Sequence, residues 1–158
     1  MWTGLIIAIC VTLPPKWEAA LNEILEGRQP CNRLFIRYQD GNGSLGRTVV
    51  RVRGGYARVI RHGADGLTPV AHSGRIGHRG CVRLVRQILR YPFRRPSQRR
   101  RIAHSDETRP EILIRIDNGL RIRERRFGFD VQNDPAFAVL RGEMIRIARQ
   151  LSAGTVRW

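Results

Sequence analysis

Two periods run through the hydrophobic and polar positions of this chain, one of about 2 residues and one of about 3.6, and they divide it into strands and helices. Leu34-Phe35-Ile36-Arg37-Tyr38 reads as a strand, and Asp40-Gly41-Asn42-Gly43-Ser44 is the densest turn signal in the sequence, so a hairpin is expected to return through Arg47 to Arg53. Gly54-Gly55 predicts a second hairpin. A two-residue turn there opposes Arg53 with Tyr56, Val52 with Ala57 and Val50 with Val59. That register sorts Val50, Val52, Ala57 and Val59 onto one face and Arg51, Arg53, Tyr56 and Arg58 onto the other, which is cationic with one aromatic ring.

The helical period appears three times. Trp17, Ala20, Leu21, Ile24 and Leu25 predict a short amphipathic helix that stops at Gly27. From Arg79 to Leu89, Cys81, Val82, Leu84, Val85, Ile88 and Leu89 interleave with Arg79, Arg83, Arg86 and Arg90, whose spacing places four guanidinium groups on one face. Pro92 ends that helix. Asp134, followed by Pro135 at the first helical position, caps a third, with Phe137, Leu140, Met144, Ile147, Ala148 and Leu151 as its stripe. Residues 63–80 read as a loop, because Gly63, Gly66, Pro69, Gly74, Gly77 and Gly80 interrupt every candidate element. Ile112, Ile114 and Ile116 alternate before Asp117-Asn118-Gly119, where a three-residue loop opposes Ile116 with Leu120 and Ile114 with Ile122; Phe127, Phe129 and Val131 extend the second strand.

These elements predict an α+β fold, antiparallel hairpins packed against two or three amphipathic helices. An amino-terminal strand-helix segment, residues 1–45, precedes an α+β domain, residues 46–152, which carries a basic Pro/Arg linker at 92–105. The apolar run from Leu5 to Leu13 is too short to span a bilayer, has no basic flank before it and stops at Pro14-Pro15 without a small-residue cleavage site. It reads as a buried β-strand, with a degenerate signal or a misplaced start codon as the alternative. No transmembrane segment is expected.

Composition changes the picture in one respect. The 158 residues are 42% hydrophobic and 27% charged, ordinary globular usage that excludes wholesale disorder, but 29 Lys+Arg against 13 Asp+Glu give a net charge of +16. Lys16 is the only lysine. Such a field attracts polyanions, so the partner class is nucleic acid, an anionic surface or an acidic protein; a GC-rich coding sequence would also inflate arginine at the expense of lysine. The run from Asp65 to Asp106 encloses Arg75, the four helix arginines and Arg94, Arg95, Arg99, Arg100 and Arg101 with no acid. Phosphate contact is the chemistry this suits, through Arg79, Arg83, Arg86 and Arg90 on the helix and Arg94, Arg95, Arg99, Arg100 and Arg101 in the linker. On the hairpin, Arg51, Arg53 and Arg58 join them, and Tyr56 either stacks an unpaired base or covers a neighbouring arginine, so single-stranded RNA or DNA is favoured over duplex.

Other chemistry finds little purchase. His62, His72, His78 and Cys81 lie in a cationic stretch without a paired CxxC, so no metal is expected and Cys81 reads as a small buried hydrophobe. No nucleophile elbow, HExxH or paired carboxylates occur, and Gly41, Gly43 and Gly46 fall in a hairpin turn that opens no helix. A non-enzymatic protein without a cofactor is expected. Cys10, Cys31 and Cys81 are odd in number and far apart, unlike a secreted disulfide scaffold, so a reducing, cytoplasmic setting is expected.

Arg51-Val52-Arg53-Gly54-Gly55-Tyr56-Ala57-Arg58-Val59, the arginine helix, the Asp117-Asn118-Gly119 hairpin, Phe127-Gly128-Phe129-Asp130 and the Pro135 helix follow one another in an order that resembles emfourin-type inhibitors of thermolysin-like metalloproteases, over residues 49–151. The resemblance implies a non-catalytic inhibitor domain. Ile36-Arg37-Tyr38-Gln39-Asp40 through Arg47-Thr48-Val49-Val50 resembles the opening strands of WYL-type domains of bacterial transcription regulators, over residues 34–50, and implies a regulatory module linked to nucleic acid.

Overall fold

The computed structural model describes residues 15–42, 46–64, 68–91, 110–117, 122–127 and 134–156. Six strands, β1 (Leu34–Asn42), β2 (Gly46–Arg53), β3 (Tyr56–His62), β4 (Val70–Arg75), β5 (Glu111–Asp117) and β6 (Ile122–Phe127), form one sheet in the order β4-β3-β2-β1-β5-β6. Every neighbouring pair is antiparallel. Three helices, α1 (Pro15–Leu25), α2 (Gly77–Arg90) and α3 (Pro135–Leu151), complete the expected α+β fold. One core joins the inward residues of the sheet, among them Ile36, Tyr38, Val50, Val52, Val59, Ile112 and Ile114, to the apolar stripes of all three helices. Among the described residues, the helices therefore cover one face of the sheet and none packs on the other, the helix-free face, where Val49 and Leu113 are nevertheless buried.

Local chemistry accounts for most element ends. Gly27 adopts φ 73° just after α1, and the Asp134 side chain accepts a 2.8 Å hydrogen bond from the Ala136 N–H at the start of α3. The second hairpin has the register its turn dictates, with Arg53 opposite Tyr56, Val52 opposite Ala57 and Val50 opposite Val59. Gly54 has φ 60° and Gly55 does not have positive φ, as in a type II′ turn.

Several expectations are corrected. Part of the stretch read as loop is β4, an edge strand of mostly exposed residues paired with β3 from Tyr56↔Arg75 to Arg61↔Val70. An edge strand needs no alternating apolar face, and Gly74 is accommodated because a Cβ there would stand 2.5 Å from Leu151 Cδ2 of α3. The β5–β6 hairpin pairs Asp117 with Ile122 and Ile116 with Arg123, so residues 118–121 make a four-residue connection where three were expected. A division at residue 45 falls between β1 and β2, which pair from Phe35↔Arg53 to Asn42↔Gly46, and β1 lies centrally between β2 and β5.

Cys81 is buried in the α2 stripe, as a small hydrophobe would be, but it is also bonded to Cys31 in a disulfide, with a Cα–Cα distance of 6.3 Å. Sequence spacing hides this pairing, because the two residues are brought together only when α2 docks against the 3-10 turn Cys31–Arg33 that leads into β1. No helix among the described residues is long and apolar enough to cross a membrane. The strand expected at residues 5–13, the linker at 92–105, Phe129 and Val131 lie outside the described residues.

Candidate functional site

Antiparallel pairing sets the side chains of the helix-free face in transverse rows. The first row reads Arg75, Tyr56, Arg53, Phe35 and Arg115 across β4, β3, β2, β1 and β5. The second reads Ser73, Arg58, Arg51, Arg37 and Leu113. A third runs Ala71, Ile60, Val49, Gln39 and Glu111, and beyond it His62 stands opposite Arg47. Seven arginines of β1 to β5 thus share this face. Period-two alternation puts them there because the other face is filled by the core.

The acids on this face of β5 are Glu111 and Asp117. Glu111 accepts from Arg37 Nη2 at 2.8 Å, and Asp117 lies 3.4 Å from Arg33 Nη1. Arg47, Arg51, Arg53, Arg58 and Arg75 have no acidic partner among the described residues, and all five are exposed. Arg51 and Arg58 face each other directly across β2 and β3. Like charges so placed repel, so the pair is arranged at some cost to the fold and gains most from a polyanion laid over it. The aromatic groups are tied to cations. Arg75 Nε donates to the Tyr56 hydroxyl at 3.0 Å with its Cζ 5.4 Å from the ring centroid, and Arg115 Cζ lies 5.8 Å from the Phe35 centroid.

The structure divides the other sequence candidates. Arg51, Arg53, Arg58 and Tyr56 come together on the helix-free face. Arg79, Arg83, Arg86 and Arg90 stand on α2, in the helical layer on the opposite side of the sheet, with Arg83 3.4 Å from Glu143 of α3 and Arg90 Cζ 5.6 Å from the Tyr91 ring. The two sets lie on opposite sides of the sheet. Arg94, Arg95, Arg99, Arg100 and Arg101 lie outside the described residues. The sequence reasoning missed Phe35, Arg37, Arg75 and Arg115. The first-hairpin register would have found Phe35 opposite Arg53; Arg75 needed β4, and Arg115 needed the long-range pairing of β1 with β5.

A second polar cluster lies on the core side, where β1 meets α3. The buried Tyr38 donates its hydroxyl proton to Asp40 Oδ2 at 2.6 Å, while Arg141 donates from Nε to the Tyr38 oxygen at 2.9 Å and from Nη2 to Asp40 Oδ2 at 3.1 Å. Burial pushes the Tyr38 hydroxyl well above its ordinary value, and the Asp40 carboxylate adds to the rise while Arg141 opposes it. For Arg141, burial disfavours the charge, but its bonds to Tyr38 and Asp40 outweigh this and hold the guanidinium more firmly protonated. A phenol locked neutral and doubly bonded is a clamp between sheet and helix, with no proton to exchange near neutral pH. Among the described residues, no three His, Cys, Asp or Glu side chains are grouped so as to hold a metal ion.

No family model and no curated protein matches the chain.

Proposed function

We propose that this is a small non-enzymatic nucleic-acid-binding protein whose arginines grip phosphates with little sequence preference. The observation that carries the reading is the helix-free face, where Arg51, Arg53 and Arg58 stand exposed on adjoining strands without acidic partners among the described residues. Several guanidinium groups on one surface match the repeated charge of a phosphate backbone, and such contacts position a protein without reading bases. The helix arginines Arg79, Arg86 and Arg90 extend the positive field on the other side of the sheet.

The test is a binding titration against salt concentration with wild type and an Arg51→Ser, Arg58→Ser double variant. Binding of every sequence is expected to weaken in the variant, and the salt slope for a single strand to fall by about 1.4, at about 0.7 per phosphate contact. Wild-type affinity that is insensitive to salt refutes the proposal. The Cys31–Cys81 bond favours an oxidising compartment, which would preserve it, whereas the cytoplasm expected from the sequence would hold both thiols reduced.

A second reading, inhibition of a thermolysin-like metalloprotease, is favoured by one feature. Tyr56 is 58% exposed beside the tight Gly54–Gly55 turn, which Ile76 N–H fixes by a 2.8 Å bond to the Gly55 carbonyl. Unimpaired protease activity at micromolar concentrations of both proteins excludes it.

A further inference from the structure

Tyr56 on β3 and Phe35 on β1 share one transverse row, with Arg53 of β2 between them and Arg75 and Arg115 at the two sides. We propose that this row is a two-base stacking platform for single-stranded nucleic acid, with one base on Tyr56 and one on Phe35; the inference rests on the phosphate-binding reading above and specifies its substrate.

The spacing selects the strandedness. Two inter-strand steps separate the aromatic positions by about 10 Å. Stacked bases in a duplex rise by only about 3.4 Å per step along each strand. Two bases lying on these rings are therefore parted from each other. A duplex holds its base faces against their neighbours and has none to offer, whereas a single strand can splay its bases onto separate rings.

Tyr56 is exposed, Phe35 is partly buried, and each ring lies beside an arginine. Arg75 holds Tyr56 by its hydroxyl at 3.0 Å, yet the residue remains 58% exposed, so an arriving base meets a ring whose position is already fixed. Less side-chain freedom is then lost on binding. Arg115, with Cζ 5.8 Å from the Phe35 centroid, offers a planar cation beside the second ring. Arg58 and Arg51 form the next row, about 7 Å farther along the strands. A nucleic-acid strand crossing the sheet perpendicular to the β-strands sets its bases on the aromatic row and its phosphates over this pair. An acidic protein would use the same arginines and leave the two rings without a role.

Fluorescence anisotropy tests this with a labelled short oligothymidylate, a duplex of the same length and polyglutamate as competitor, using wild type, Tyr56→Leu and Phe35→Leu. Leucine keeps apolar bulk and removes the π face. Each substitution is expected to weaken oligothymidylate binding about five-fold or more, the low end for one stacked base, with an unchanged salt slope and unchanged duplex binding. Single-strand affinities equal to wild type, or equal losses on duplex, overturn the platform and leave salt-dependent phosphate binding standing. Failure of wild type to bind either oligonucleotide overturns both readings, as does preferential binding of polyglutamate. Tyr56 lies outside the core, so the Tyr56→Leu protein is expected to melt as wild type does and to keep the comparison valid.

Discussion

Reduction of the Cys31–Cys81 bond should lower stability by an amount the topology sets. The bond joins the turn before β1 to the buried stripe of α2 across a sequence separation of 50 residues. Closing a loop of that length removes chain entropy from the unfolded state worth about 4 kcal/mol at 25 °C, and native disulfides commonly contribute roughly 2–4 kcal/mol. The folded state loses little in comparison, because Cys81 stays packed against the core whether bonded or not. Urea denaturation of the oxidised protein, and of protein reduced and then blocked at its thiols, measures the difference. The reduced form is expected to unfold at lower urea and with a steeper slope, since an unlinked chain exposes more surface. Coincident curves would refute the reasoning. So would peptide mapping of unreduced protein in which both Cys31 and Cys81 react with an alkylating agent.

Two further substitutions probe the fold. Tyr38→Phe removes two hydrogen bonds but leaves Arg141 and Asp40 3.1 Å apart and still paired, so a loss of only about 1 kcal/mol is expected at neutral pH. Because the folded state raises the Tyr38 value above its ordinary 10.0, the unfolded chain gives up this proton first as pH climbs. Wild type should lose stability above about pH 10; Tyr38→Phe should lose less over the same range, and parallel pH profiles in urea unfolding would contradict the clamp. Gly54→Ala sets a side chain at φ 60° with its Cβ 3.1 Å from the Asn32 Cα, so a loss of at least about 1–2 kcal/mol is expected. Gly55→Ala meets nothing nearer than 3.5 Å and serves as the control; equal stability of the two alanine variants would refute the turn assignment.

What was legible in the sequence follows how local each constraint is. The β2–β3 register could be read because a two-residue turn and a one-sided core both specify it, and Val50, Val52, Ala57 and Val59 are all buried. The stripe of α2 and the cap of α3 were legible for the same reason. The β5–β6 register was not, since Asp117-Asn118-Gly119 supports connections of more than one length and a one-residue difference reverses the faces. β4 escaped because Gly74 and its exposed neighbours carry no apolar alternation, and the strand exists through pairing with β3 alone. Half of the candidate site was visible as the polar face of one hairpin. Phe35 and Arg37 joined it through the β1–β2 register, and Arg115 only once β1 and β5 paired across more than 70 residues of chain, which no local pattern encodes.

The distribution of charge bears on the two explanations that composition left open. Coding bias would raise arginine everywhere without regard to partners, and several cations of α3 and β1 do find acids: Arg146 with Glu143 at 3.0 Å, Arg141 with Asp40 at 3.1 Å, Arg37 with Glu111 at 2.8 Å. Arg47, Arg51, Arg53 and Arg58 on β2 and β3 find none among the described residues, although each is flanked across the sheet by positions that an acid could occupy without disturbing the core. Opposed arginines such as Arg51 and Arg58 work against the hairpin that carries them. A fold under no demand for anion binding would relieve that repulsion with a single Glu on either strand. Both guanidinium groups beside an exposed tyrosine suit the proposed phosphate-binding surface, and stability alone would not favour them.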